Sequence, residues 1–214
     1  MLTLHDIFVD SCTNVCIEDC YIANGDDLIS IKSGWDEHGI NYGIPSSNIA
    51  IQRIEGMTRE SSGISLGSEM SGGISNVYIN DLIVHHAHTG IRVKSGRGRG
   101  GYVRDIHISN LVLSNLKTAI GFTDFYAGHP DGNYDPNALP SVGNVFISNV
   151  VGSNISNAGD FQGLAESPFH DIYLRNITLE VLAHRHDAWT CSYVQGYSES
   201  VHPSPCPSLC QSFG

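Results

Sequence analysis

Two acids stand side by side at Asp26 and Asp27, and two cations flank a single residue at Arg92 and Lys94. Adjacent carboxyls repel when both ionise, so the pKa of one member of such a pair is expected to rise. A carboxyl that keeps its proton can deliver it to a leaving oxygen while an ionised neighbour activates water. Hydrolysis of a glycosidic bond divides its labour between two carboxyls in this way. A guanidinium and an ammonium on the same face suit an anionic ligand, because a guanidinium meets a carboxylate through two parallel hydrogen bonds. The two pairs lie far apart in the sequence, so this chemistry needs elements that bring them together.

A repeat supplies those elements. Six segments share one pattern: Asn or Asp, apolar, any, Ile or Leu, any, polar, apolar. They are residues 14–20, 48–54, 76–82, 105–111, 144–150 and 171–177, and their starts are 34, 28, 29, 39 and 27 residues apart. The two long gaps hold residues 35–47 and 126–143, rich in Gly, Pro, Asp and Asn, which read as loops on a regular body. Second strands follow at 29–31, 64–66, 91–93 and 120–122, with Ile, Leu, Val or Phe pointing inward and the residues between them outward. A leucine-rich repeat would need a helical or 3₁₀ segment opposite its strand, whereas here the second half alternates and breaks at Gly. The pattern predicts an all-β fold, a right-handed parallel β-helix of about six coils or more.

Neighbouring coils of such a solenoid lie about 4.8 Å apart, so residues at equal offsets form columns along its axis. Asn at the repeat starts fits a turn position that tolerates left-handed dihedrals and stacks from coil to coil. Asp26 and Asp27 end a turn just before the strand at 29–31. Arg92 and Lys94 face outward from the equivalent strand two coils on, roughly 10 Å along the axis. Glu60, Ser61 and Ser62 fill the coil between them, and His88 shares the column of Asp26.

The chain has 214 residues and a formal net charge of −11, which argues against a generic partner of nucleic acid or of anionic membrane. No apolar run is long enough to span a bilayer. No basic stretch followed by an apolar run opens the sequence, so no signal peptide is read at Met1. Five basic residues, Arg92, Lys94, Arg97, Arg99 and Arg104, fall within 92–104 with no acid among them, a focused positive patch suited to a polyanion. An Arg-Gly segment for RNA has similar composition, but one such stretch inside a repeat is weak support for it. The cluster of His85, His86 and His88 has no carboxylate or Cys near in sequence, so no metal site is expected there. Cys191, Cys206 and Cys210 sit in a Pro-rich tail where a disulfide would staple the end, and Cys12, Cys16 and Cys20 cluster at the other end. Residues 1–190 are therefore expected to form the β-helix domain and residues 191–214 a Cys/Pro-rich tail. Asn154 and Asn176 begin sequons that permit N-glycosylation.

Three ordered motifs carry a family likeness: residues 24–36 with Asn24-Gly25-Asp26-Asp27, residues 63–73 with Gly67-Ser68-Glu69-Met70, and residues 90–102 with Arg92-Val93-Lys94. With residues 133–140 and 189–191, they make the chain similar to plant polygalacturonase-type proteins of glycoside hydrolase family 28, among the pectin-lyase-like β-helices. The resemblance covers nearly the whole chain. It implies an inverting hydrolase of α-1,4-linked galacturonic acid in pectin, secreted to the cell wall, monomeric, and working without metal or organic cofactor. The family's Gly-Asp-Asp pattern falls on Gly25-Asp26-Asp27, which implies Asp26 as general acid and Asp27 as an activator of water. Its Arg-x-Lys pattern falls on Arg92 and Lys94, implied to bind the galacturonate carboxylate.

The chain also departs from the family. The upstream Asn-Thr-Asp falls on Thr3-Leu4-His5, so a third carboxylate is missing, and the active-site His falls on Ser62. The Cys that follows Asp-Asp in the family is Leu28, which is expected to leave an N-terminal thiol unpaired. His88, in the column of Asp26, is a candidate to replace the imidazole. The start of the chain lacks several coils and the cap of a full member, so an N-terminally truncated member is expected. The alternative is a degenerate, non-catalytic β-helix fragment that binds acidic polysaccharide.

Overall fold

The computed structural model describes residues 7–182 and 187–210. Every ladder between its strands is parallel, and the chain winds as a right-handed β-helix. One stack runs through β1 (Ile7–Asp10), β3 (Ile29–Lys32), β5 (Ser62–Gly67), β7 (Thr89–Lys94) and the second half of β8 (Tyr102–Thr123). The other runs through β2 (Thr13–Asn24), β4 (Ser46–Thr58), β6 (Ile74–His85), the first half of β8, β9 (Ser141–Gln162), β10 (Phe169–Val181) and β12 (Val194–His202). The second half of β9 continues the first stack beside the second half of β8, and β11 (Trp189–Ser192) extends that stack further.

Each repeat start is a corner. Asn14, Asn48, Asn76, Asp105, Asn144 and Asp171 all have φ between 52° and 60°, a left-handed conformation that short amide and carboxyl side chains tolerate best. A second corner follows five residues later at Asp19, Arg53, Asp81, Asn110, Asn149 and Asn176, again with positive φ. Side-chain amides run along these columns, from Asn176 to Asn149 (2.9 Å) and from Asn149 to Asn110 (3.1 Å). The turn chemistry and the coil stacking are thus one feature.

Between corners, the alternation sends apolar side chains inward. Ile29, Ile31, Ile64, Leu66, Ile91, Val93, Ile120 and Phe122 are buried in the central cluster. Each contributes about 1.5–3 kcal/mol by leaving water. On an outward face, Tyr78, His107, Phe146, Tyr173 and Tyr197 stack ring on ring at 4.4–5.4 Å.

The insertion at 35–47 is not all loop, contrary to its composition. It holds α1 (Asp36–Tyr42), with Asp36 and Glu37 in its first turn and a left-handed Gly43 (φ 64°) closing it. Residues 126–140 do run as loop and turns, leading into β9. Cys191 and Cys206 form a disulfide, while Cys12, Cys16, Cys20 and Cys210 are free thiols. Leu28 occupies its position as a fully buried core residue.

Candidate active site

The turn before β3 sets the two acids apart. The side-chain amide of Asn24 donates to the Asp27 carbonyl (2.7 Å), and Oδ1 of Asp26 accepts the backbone N–H of Asp27 (2.8 Å). This local bonding leaves Asp26 exposed and turns Asp27 inward to 2% exposure. There Asp27 meets the next coils. Its Oδ1 accepts from the Ser61 hydroxyl (2.5 Å) and the Ser62 N–H (3.0 Å). Its Oδ2 accepts from the Ser30 hydroxyl (3.0 Å) and from Nζ of Lys94 (2.6 Å).

Burial is the largest influence on Asp27 and pushes its carboxyl up. The Lys94 ammonium, with hydrogen bonds from Lys94 and Ser61, outweighs it and brings the pKa down to about 2. Repulsion between adjacent acids therefore does not decide the state of Asp27, which is held as an anion.

Asp26, Asp27 and Lys94 open on one cleft of about 300 Å³, with Lys32, Glu69 and Tyr126 on its walls. A larger groove of about 450 Å³ lies on another face, between Arg53, Ile83, Val112 and Val151, and contains none of these groups. Arg92 stands at the margin of the cleft. The Tyr126 ring lies 5.5 Å from its guanidinium and 5.6 Å from Nζ of Lys94, so the ring bridges the two cations. Arg92 itself lines a small adjoining groove with His88, Thr118 and Asp160. His88 belongs to that groove rather than to the cleft of Asp26. Burial, then Lys117 and Arg92, push its pKa down. Ser62, where an imidazole was expected by resemblance, is fully buried with no partner for its hydroxyl. Thr3 and His5 lie outside the described residues.

The positive patch read from 92–104 is largely neutralised. Acids remote in sequence fold against it: Asp27 on Lys94, Glu166 on Arg97 (2.5 Å) and Asp36 on Arg99 (2.5 Å). Among the described residues, Arg92 makes no ion pair within 4 Å.

Arg99 has a structural task that the sequence did not reveal. It is fully buried, and its Nε donates to the Ser68 carbonyl (2.9 Å) and its Nη2 to the Gly128 carbonyl (2.7 Å). Asp36 joins it to His129 (2.5 Å), on which Tyr134 stacks at 3.5 Å. Ser68 and Gly128 both line the cleft, so Arg99 ties two of its walls together. Lys32 was also missed, although it shares its offset within the repeat with Lys94. Glu37, His38 and Asp131 bring possible metal-ligand atoms within 4.8 Å, but outside the cleft and already paired through His38.

A parallel β-helix with acids and cations gathered in one lateral cleft is the class of protein that the fold and the site define. The chain belongs to the glycosyl hydrolases family 28, whose pattern matches residues 5–204. It is 43% identical over 201 residues to a probable polygalacturonase of Vitis vinifera, covering 94% of this chain and 41% of that protein. A probable polygalacturonase of Arabidopsis thaliana is 32% identical over 181 residues, covering 81% and 37%. Among solved structures, an exopolygalacturonase from Thermotoga maritima matches with TM-score 0.75 and 27% identity, over 92% of this chain and 43% of that one. The chain thus spans about two fifths of the length of these relatives. Among the described residues, no helix is long and apolar enough to cross a membrane.

Proposed function

We propose that the chain carries the acid–base cleft of a hydrolase that cuts α-1,4-galacturonosidic bonds in pectin with inversion, acting as a monomer outside the cell, at the cell wall. The observation that carries this reading is the 2.6 Å contact between Lys94 and Asp27, which keeps one carboxylate ionised beside an exposed second one. Asp26, open to the cleft, is the proton donor to the leaving oxygen. Asp27, anionic at any ordinary pH, orients and deprotonates the attacking water. A lysine has three donors, so Lys94 can hold Asp27 and still offer an N–H to a uronate carboxylate. Arg92, free of ion pairs among the described residues and against the same Tyr126 ring, joins Lys94 in receiving that carboxylate. The names of the Vitis and Thermotoga relatives support this substrate class.

A specific observation favours a second reading, in which the cleft binds acidic polysaccharide without cutting it. The buried Ser62 hydroxyl cannot replace an imidazole as a proton carrier. A reducing-sugar assay on polygalacturonic acid separates the two. The unaltered chain should release ends at least a hundredfold faster than Asp26→Asn. Equal background from both proteins, with polygalacturonate still bound, would leave the binding reading in its place.

A further inference from the structure

The cleft contains the same three-part arrangement twice. At one end, Lys94 is paired with Asp27 (2.6 Å) and sits 5.6 Å from the Tyr126 ring. At the other, Lys32 is paired with Glu69 (3.1 Å), and its Nζ lies 4.5 Å from the centre of the Phe8 ring. All six residues line the one cleft. Gly67 pairs with Lys94, and the neighbouring pair Ile31–Leu66 puts Lys32 next in line on the adjacent coil. The two ammonium groups therefore stand two coils apart, about 10 Å along the axis. The position between them is glycine with φ 88°, where a Cβ would strike the Lys94 carbonyl, so no side chain fills the gap.

Each unit offers what a uronic acid presents. A cation meets its carboxylate, a fixed anion accepts its hydroxyls, and an aromatic face covers its apolar C–H side. Glu69 is suited to the acceptor role. Burial pushes its pKa up, but Lys32, its own backbone amide and the Ser68 hydroxyl together push it down further, so it stays ionised. Lys32 uses one donor on Glu69 and has others to spare.

We infer that Lys32, Glu69 and Phe8 form a second uronate-binding unit, two coils along the cleft from that of Lys94. This deepens the reading of the cleft as a galacturonan site and rests on it. Lys32 acts here as a specificity-determining residue, selecting the free acid over its methyl ester at a sugar other than the one held by Lys94.

The test is calorimetric titration with trigalacturonic acid and with its fully methyl-esterified form, using chains that carry Asp26→Asn to prevent turnover. Lys32→Met should weaken binding of the free acid about tenfold and reduce the acid-to-ester preference by the same factor. Lys32→Arg should restore much of both, which a merely structural role would not predict. Phe8→Ala, at an exposed ring, should weaken both ligands alike and serves as the deciding variant if Lys32→Met does not fold. Trimer binding by the Asp26→Asn chain that is unchanged in Lys32→Met, or in Phe8→Ala where that variant decides, overturns the second unit alone. No binding of either trimer by the Asp26→Asn chain overturns the galacturonan reading and the second unit with it.

Discussion

Nζ of Lys94 lies 2.6 Å from Oδ2 of Asp27, a contact between residues 67 positions apart. One outward position on β7 thereby fixes the ionisation of a turn two coils away.

Lys94→Met removes the cation and leaves a buried carboxylate. Breaking one side of a buried pair costs about 3–5 kcal/mol. The native pKa of about 2 lies below the ordinary 3.8, so this contact adds stability above about pH 4 and loses it as pH falls through 2. Urea denaturation between pH 2 and 7 should show that gain with rising pH in the unaltered chain and a smaller gain, or a loss, in the variant. Parallel curves for the two proteins would contradict the pairing.

Asp124 carries the opposite sign. It is 2% exposed, and neither carboxyl oxygen has a hydrogen-bond partner of good geometry. Burial, opposed only in part by the Leu164 backbone and the Ser95 hydroxyl, pushes its pKa up to about 7. The folded chain holds this proton where the unfolded chain has released it, so stability falls as pH rises from about 4 to 7. The loss is on the order of 4 kcal/mol. Asp124→Asn should remove this slope and raise the melting temperature at pH 8 but not at pH 4, as read by thermal denaturation.

Arg99→Met should cost about 3–5 kcal/mol, because Asp36 is left buried without its partner. It also frees the Gly128 carbonyl, so chymotrypsin should cut at Phe125, Tyr126 or Tyr134 faster than in the unaltered chain. Arg99→Lys keeps the charge but not the planar fork, and should fall between the two. Equal cleavage rates would deny Arg99 its hold on the wall.

The Cys191–Cys206 disulfide closes a span of 15 residues. Replacing both with Ser should lower stability by about 3 kcal/mol at neutral pH, by restoring freedom to the unfolded chain. The midpoint of urea denaturation reports it. No change would mean that the hydrogen bond from Trp189 to the Pro203 carbonyl (2.8 Å) and the β12 ladder hold this end unaided.

Much of this architecture was legible in the residues. Asn14, Asn48, Asn76, Asp105, Asn144 and Asp171 announce the corners, because few side chains accept positive φ. The period-2 apolar runs announce the strands, and the stacking of coils puts the turn of Asp27 and the strand of Lys94 on one face. The helix at Asp36–Tyr42 was not legible, since a short Gly-containing segment has little helical propensity and owes its place to Asp36 beneath Arg99.

Local chemistry alone determined the coil, its repeat and the acids and cations on one side of it, because dihedral tolerance and alternation act within a few residues. Only the tertiary structure decided which cations stay free. Arg97 and Arg99 are claimed by Glu166 and Asp36, while Lys32 joins the cleft beside Phe8 and Glu69. Ion pairing and burial depend on distances between remote coils and inserted loops, and no run of neighbouring residues encodes those distances.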